Sequence, residues 1–386
     1  MFNESDEHQE IRDAIRQLCK QFPDEYFREI DRRDAYPEKF VDALMQAGWL
    51  AAMIPEEYGG TGLGLTAATV IMEEINRSGG NAGAVHGQMY NMGTLLRSGS
   101  AAQKEKYLPG IAAGRLRIQS MAVTEPTTGT DTTKIKTTAV KKDGRWVVNG
   151  QKVWISRVQH SDLMILLART TPLAEVNKKS EGMSIFIVDL RQAIGNGLEV
   201  RPIPNLVNHE TNELFFDNLE IPEENLIGEE GRGFKYILDG LNAERTLIAA
   251  ECIGDGYWFI ERARNYANDR VVFDRPIGKN QGVQFPIADA FIEIEAANLM
   301  RFEAARRFDA RQDCGAQANM AKYLAAKASW EAANVCLQTH GGFGFAKEYD
   351  IERKFRETRL YQVAPISTNL IYAYVAEHVL GLPRSF

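Results

Sequence analysis

The sequence lacks the signatures of the commonest catalytic sites. No GxGxxG, GxxxxGK[ST] or GxSxG occurs in its 386 residues, so the usual nucleotide loops and the serine-hydrolase elbow are absent. There is no HExxH, and none of the six histidines stands at metal-ligand spacing with a cysteine or another histidine, which leaves metal catalysis without support. The four cysteines, Cys19, Cys252, Cys314 and Cys336, lie far apart with no CxxC pair. That disfavours a zinc site or a disulfide framework and reads as reduced, mostly buried thiols. Positive charge is also short: 45 Lys plus Arg stand against 52 Asp plus Glu, a net −7, which argues against a nucleic-acid partner or an anionic-membrane anchor. No apolar run approaches the roughly 18 to 20 residues of a spanning helix. The opening segment MFNESDEHQE is acidic where a signal peptide is basic and then apolar, so a cytoplasmic location is expected.

What is present is ordinary globular composition, 44% hydrophobic and 25% charged, with length for roughly two or three domains around a large core. Up to Gln119 apolar residues recur at helical spacing, as in Ile11, Ile15 and Leu18 and again Phe40 and Leu44, with turn clusters at Pro55 to Gly64 and Ser78 to Gly83. From Ser120 the chain alternates polar with β-branched or aromatic residues, and Asp143-Gly144 and Asn149-Gly150 read as hairpin turns. LMILLA, MSIFIVDL and NELFFDNLEI read as further strands. After Pro222 helical period returns, from Gly231 to Arg270 and from Phe285 to Gly381. The expected architecture is an α+β multidomain chain: a helical domain over 1–119, a central β-barrel or sandwich domain over 120–226 and a C-terminal four-helix bundle over 227–386. An alanine face, Ala318, Ala321, Ala325, Ala328 and Ala332, suits close helix packing inside that bundle, or a subunit interface.

Four segments could carry chemistry. AVTEPTTGTD, residues 122–131, gathers hydroxyls, two acids and a glycine in a loop between the helical and β regions; by composition it also reads as a capped surface turn. Trp154 and Ser156 share a strand face by period two and could lie against one flat partner, or form a core tryptophan with a satisfied serine. A helix bearing Arg262, Arg264 and Arg270 ends in a loop with Pro276 and Gly278, a positive end suited to phosphate. Gln338 to Gly344 interrupts a good helix with three glycines, which permits close approach of a ligand to the backbone.

Taken in order, AVTEPTTGTD (122–131), WIS (154–156), RVVF (270–273), Gln281 and QTHGGFGFAKEYDIERKFRE (338–357) resemble the acyl-CoA dehydrogenase family over essentially the whole chain. The resemblance implies an FAD enzyme that removes an α-hydrogen of an acyl-CoA as a proton and a β-hydrogen as hydride, giving a trans-2-enoyl-CoA and passing electrons to electron-transfer flavoprotein. By matching position it implies that Val123 and Thr124 contact the isoalloxazine and Thr130 the pyrophosphate side and pantetheine. Trp154 and Ser156 would hold the flavin's other face. Arg270, Phe273, Gln281, Gln338 and Gly342 would bind the ADP half of an FAD held by a neighbouring subunit, and Ser367 and Asn369 would complete the cofactor set. A homo-oligomer, typically a tetramer, follows from that sharing.

The base departs from the commonest family pattern. Where many members carry a YEGT glutamate, this chain reads Ala364-Pro365-Ile366-Ser367, with proline in the glutamate's place. Isovaleryl-CoA and long-chain members carry the base on the first long C-terminal helix instead, and Asn242-Ala243-Glu244-Arg245 matches that position, which assigns Glu244 as base and Arg245 to the substrate. Leu247 and Ile248 share Glu244's helix stripe and would partly desolvate it; position alone also fits a first-turn glutamate favoured by the helix dipole and paired with an arginine. Ala364 and Pro365 free volume beside the reacting carbons, which implies tolerance of branched or bulky acyl groups. Other chemistry on the same scaffold, by an oxidase, monooxygenase or desulfinase, is the alternative enzyme reading, and a catalytically silent assembly subunit the non-enzyme one.

Overall fold

The computed structural model describes residues 6–385, so the first half of the acidic opening segment lies outside the described residues. Ile11, Ile15 and Leu18 form the buried stripe of α1 (Asp6–Cys19). It is followed by α2 (Asp24–Arg32), α3 (Glu38–Gln46), α4 (Leu65–Arg77), α5 (His86–Ser98) and α6 (Ala101–Ala112). Phe40 and Leu44 are the buried face of α3, and Ser100 starts α6 through a reciprocal capping box with Gln103. The chain gathers into two units: one comprises Met1–Pro37, Gly64–Gly83 and Asn242–Phe386, the other Glu38–Leu63 and Ala84–Leu241. The N-terminal helices are therefore divided, with α1, α2 and α4 in the first and α3, α5 and α6 in the second.

The second unit holds β1 (Ser120–Ala122), β2 (Thr138–Lys142), β3 (Arg145–Ser156), β4 (Leu163–Arg169), β5 (Met183–Asp189), the short α7 (Leu190–Ala193), β6 (Leu198–Pro202), β7 (Thr211–Pro222) and β8 (Leu226–Ile227). They form one sheet in the order β6-β7-β3-β2-β4-β5-β8, with β1 parallel to β4. Every residue of β4 is buried, which is why LMILLA is a continuous apolar run without alternation. Met164, Leu166 and Ala168 enter a core with Trp146, Phe186 and Leu214. Leu163, Ile165 and Leu167 enter another with Leu95, Leu108 and Ile111 from α5 and α6.

Asp143-Gly144 is the hairpin turn its sequence implies, both residues having positive φ, 49° and 74°. Asn149-Gly150 is not a turn. It lies inside β3, where the pairing with β7 shifts between Val148 and Gly150, so the pair makes a β-bulge. Glycine is required there because a Cβ on Gly150 would stand 2.6 Å from the Thr137 Cα.

The helix α8 (Gly233–Asp269) starts in the second unit and enters the first at Asn242; the first unit continues with a hairpin of β9 (Val271–Val272) and β10 (Arg275–Pro276), α9 (Gln281–Asp309), α10 (Gly315–His340), α11 (Ile351–Leu360) and α12 (Thr368–Tyr374). The alanine face of α10 is buried against Ile248, Cys252 and Ile253 of α8 and Ile294 and Ala297 of α9, so it packs within the unit. The four cysteines are free and buried, and burial pushes the Cys19 thiol up to about 12, far from reactive. Among the described residues no helix is long and apolar enough to cross a membrane.

This unit buries charge. Arg12 forks onto Glu73 at 2.9 and 2.8 Å, and Arg301 reaches the same carboxylate. Asp255, fully buried on α8, meets Lys354 Nζ at 2.5 Å and accepts from Asn76 Nδ2 at 3.0 Å. Burial, outweighing the nearby ammonium, raises the Asp255 carboxyl to about 7. Lys354 also lies 3.1 Å from Glu357 and donates to the Gly80 carbonyl at 2.9 Å. Replacing Lys354 by methionine should therefore cost about 3–5 kcal/mol, the usual effect of stranding one member of a buried pair. Adding Asp255→Asn should recover part of the loss. Denaturant midpoints of the single and double variants measure both, and a loss from Lys354→Met below about 1 kcal/mol would show that the pair is not structurally important.

Candidate active site

In the second unit the loop after β1 is fixed from beneath by a buried ion pair. Lys152 of β3 is fully buried; its Nζ donates to the Val123 carbonyl at 2.8 Å and to Glu125 Oε1 at 3.0 Å. The same carboxylate accepts the backbone N–H groups of Lys136 at 2.6 Å and Thr137 at 2.9 Å. Burial pushes the Glu125 carboxyl up, but Lys152 and those donors outweigh it and hold it below its ordinary value. Burial pulls the Lys152 ammonium down to about 8, against the pull of Glu125. With Val153 N donating to the Thr124 carbonyl at 3.0 Å, the backbone of Val123 and Thr124 is tied to β3. Thr130 and Asp131 stay exposed at the loop's far end.

Two residues beyond Lys152, the register of β3 on β7 shifts a second time, and Trp154 takes a left-handed conformation, φ 63°. It is 59% exposed while Ile155 is buried, so Trp154 is not a core tryptophan. A bulky side chain held both strained and uncovered needs a reason. Ser156, half-buried, accepts from Asn208 Nδ2 at 2.8 Å, and its carbonyl accepts from the Ser120 hydroxyl at 2.9 Å. The structure thus brings Val123, Thr124, Trp154 and Ser156 to one junction of loop and strand.

In the first unit Arg270 follows α8, its guanidinium 5.7 Å from the Phe343 ring, and is exposed. Phe273 turns the β9–β10 hairpin with φ 52° and is 92% exposed. Gln281, Gln338 and Gly342 are exposed. An added Cβ on Gly342 would meet open space, whereas Gly344 packs on the Leu337 carbonyl, so only the former suits a ligand. Arg262 pairs with Asp24, which takes it out of the expected positive cluster, whereas exposed Arg264 bonds only the neutral side chain of Asn265. Ser367 caps α12, its Oγ accepting from Leu370 N at 3.4 Å, and Asn369 is exposed.

Glu244 lies about three turns into α8, not in its first turn, because the helix begins at Gly233. It is 8% exposed. Arg245 beside it donates to Asn242 Oδ1 at 3.0 Å; burial lowers its guanidinium pKa and Glu244 pulls it back. Glu251, seven residues on, is fully buried and accepts the Tyr361 hydroxyl at 2.8 Å, a structural role. Ala364 and Pro365 are half-buried in the segment after α11.

Residues 5–115, 120–219 and 231–379 match, in turn, the N-terminal, middle and C-terminal domain families of acyl-CoA dehydrogenase. The chain belongs to the acyl-CoA dehydrogenase family. It is similar to acyl-CoA dehydrogenase FadE12 of Mycobacterium tuberculosis (strain ATCC 25618 / H37Rv), 34% identical over 100% of this chain and 99% of that protein. Cyclohex-1-ene-1-carbonyl-CoA dehydrogenase of Syntrophus aciditrophicus (strain SB) is 35% identical over 92% of this chain and 85% of its own. A solved glutaryl-coenzyme A dehydrogenase complex with glutaryl-CoA superposes with a TM-score of 0.93 at 31% identity, covering 100% of this chain and 98% of that one. As acyl-CoA dehydrogenases are FAD-dependent oxidoreductases, this chain is one, with the three-part helical, β and helical fold of the family.

The residues present suit that cofactor. An uncovered indole on a strand edge offers a face to a planar ring, and an exposed arginine beside a glycine turn offers donors to phosphate. Lys152 and Asn208 are not legible as site residues in the sequence, because only the folded strand register carries the first, and a loop with Asn208 at φ 56° the second, to this junction. Trp154→Asn tests the strand side: asparagine tolerates the left-handed backbone, so stability of the flavin-free protein should hold or rise. FAD retention should weaken about tenfold, equivalent to about 1.4 kcal/mol. Fluorescence titration with FAD and thermal melts of the apoprotein read the two effects, and unchanged FAD affinity would remove Trp154 from the site.

Proposed function

We propose that this acyl-CoA dehydrogenase oxidises the α,β bond of a branched or ring-bearing acyl-CoA, with Glu244 as the base. The observation that carries the assignment is a carboxylate only 8% exposed on α8, in a chain whose 364–367 segment offers no carboxylate at all. In the step, the Glu244 carboxylate takes the α-hydrogen as a proton, the β-hydrogen leaves with its electron pair, and the carbon–carbon double bond forms. Bound FAD supplies the two-electron acceptor. The low exposure of Glu244 keeps water from competing for that proton. Arg245, half-buried next to it, balances the carboxylate while substrate binds. Val123, Thr124, Thr130, Trp154 and Ser156 hold the flavin in the strand unit, and Arg270, Phe273, Gln281, Gln338, Gly342, Ser367 and Asn369 the cofactor's ADP side. Electron-transfer flavoprotein then receives the electrons.

Two features support the wider reading. Small residues at Ala364 and Pro365 leave room beside the reacting carbons, and one relative acts on a cyclohexene-carbonyl thioester by name. Phe273 at 92%, Val271 at 56% and, on α9, Phe285 at 59% and Ile292 at 64% are exposed apolar side chains, more than an isolated surface needs. They suit a homo-oligomer, a tetramer in our reading, in which neighbours share the cofactor.

Anaerobic mixing with acyl-CoA tests the base. Glu244→Gln should keep FAD and acyl-CoA binding but reduce flavin on the order of 10²- to 10⁴-fold more slowly. Reduction near the wild-type rate would exclude Glu244. On a substrate panel, isovaleryl-CoA or cyclohexanecarbonyl-CoA should exceed butyryl-CoA by about 10- to 200-fold in kcat/KM. Preference for butyryl-CoA over both, and over straight chains of eight or more carbons, would refute the branched-substrate reading.

A further inference from the structure

The segment 361–366 carries the two small residues that the proposed substrate preference rests on, yet it belongs to no regular element and follows the last turn of α11. What fixes its shape is a lysine 39 residues earlier. Lys322 of α10 is 1% exposed, among the largest fully buried side chains of the chain. Its Nζ donates to the Tyr361 carbonyl at 2.7 Å and to the Ile366 carbonyl at 3.1 Å, so one ammonium holds both ends of the segment that contains Ala364 and Pro365. One turn along α10, the Ala326 carbonyl accepts Gln362 Nε2 at 2.5 Å. Tyr361 is anchored a second time through its hydroxyl on Glu251, and Glu251 sits on the same helix as Glu244, seven residues further on. Arg245 is close enough to Lys322 to press on its charge. The clamp is therefore built on α10 and on α8, the helix that also carries the proposed base and its arginine.

A buried ammonium is a costly way to satisfy two carbonyls. A lysine on a helix can cap the end of its neighbour, and Tyr361 is the C-cap of α11, so capping accounts for the first hydrogen bond. It does not account for the second. Ile366 lies beyond the cap, and bonding it draws the segment back to the same nitrogen. Four residues, Gln362 to Pro365, are then confined between two points that share one donor group, which sets how far Ala364 and Pro365 stand from the rest of the unit.

We infer that Lys322 is a positioning residue for substrate selectivity, acting by holding the Tyr361 to Ile366 segment as a fixed wall beside the reacting carbons. The inference rests on the dehydrogenase reading above and adds to it the group that keeps the acyl pocket in shape.

The experiment uses FAD-loaded wild-type enzyme, Lys322→Met, which matches the side chain's length without donors, and Gln362→Met, which cuts only the Gln362–Ala326 hydrogen bond. Each is assayed on isovaleryl-, cyclohexanecarbonyl- and butyryl-CoA with a dye acceptor, and backbone amide exchange is followed at Val363 and Ala364. Those amides donate to the Leu360 carbonyl at 3.0 Å and report on the segment without any substrate. In Lys322→Met the kcat/KM ratio between best and poorest substrate should shrink by about tenfold. KM for the best substrate should rise by more than kcat falls, and both amides should exchange about tenfold or more faster, while α10 stays protected. Gln362→Met should move the same readouts in the same direction by about threefold. A purely structural lysine predicts an equal fall on all three substrates with the ratios intact, and that result overturns the inference, as does unchanged exchange. If Lys322→Met does not fold, the Gln362→Met ratios decide in the same way. Wild-type enzyme that reduces its flavin with none of the thioesters overturns the dehydrogenase reading and the clamp's role together; active wild type with ratios unchanged in the variants overturns the clamp alone.

Discussion

Burying carboxylates along one helix is the constraint around which the helical unit is arranged. On α8, Glu244, Glu251 and Asp255 follow one another at seven and four residues, hence on one side of the helix, and all three are buried. A carboxylate out of water must be neutralised or fully bonded. Asp255 takes the Lys354 ammonium and the Asn76 amide, and Glu251 takes the Tyr361 hydroxyl. Those partners come from α4 and from α11 and its end, so meeting the needs of one helix fixes the placement of two others. Asn76 does so twice over: its Oδ1 accepts Ala82 N at 2.7 Å, and its Nδ2 also reaches the Glu251 carbonyl at 3.1 Å.

The stripe changes character along its length. At the Asp255 end the charges form one network with Lys354, Glu357 and Arg353. At Glu251 the partner is a neutral phenol, whose hydroxyl burial and neighbouring acids push well above its ordinary value, so the bond is a fixed O–H donor to a carboxylate. At Glu244 the neighbour in sequence is an arginine that keeps a polar atom, Nε, without a hydrogen-bond partner among the described residues. A half-buried guanidinium with unused donor capacity is costly in a structural network and useful in a binding one.

Much of this arrangement is legible in the order of residues alone. Helical period marks α1 and α3, the continuous apolar run marks β4, Asp143-Gly144 marks its hairpin, and the alanine face marks the packing of α10. What is not legible has a common cause. Asn149-Gly150 has the composition of a turn, and only the pairing of β3 with β7, whose register shifts there, makes it a bulge. β6 carries Glu199 and Arg201 toward solvent and only Leu198 fully inward, too little alternation to stand out. Glu125 is visible as one of two acids in a loop, but its partner Lys152 is 27 residues away and meets it only once β3 is in register. Arg262, which counts toward a positive helix end, is instead paired with Asp24. Local pattern specifies elements; the partner of a buried charge is a property of their assembly.

The two aromatic residues that break local rules show where that assembly looks outward. Trp154 and Phe273 both hold left-handed backbone, a conformation that costs a bulky residue on the order of 1–3 kcal/mol, and both leave most of their surface exposed. Either feature alone has an internal remedy: glycine or asparagine would relieve the backbone, and a polar side chain would relieve the exposure. Neither remedy is used at either position. In each case the neighbours hold the strained residue in place. Trp154 is framed by Lys152 bonded beneath the preceding loop and by Ile155 buried behind it, and Phe273 is set in a two-strand hairpin whose Arg270 carbonyl accepts Ile277 N at 2.8 Å. A surface that spends stability to present an apolar ring is intelligible when something covers the ring in the working state. For Trp154 the chemistry that fits is a planar face, and Phe273 lies with Val271 and Val272 in one exposed apolar patch. The departures from local preference thus fall where the fold presents an aromatic ring to solvent.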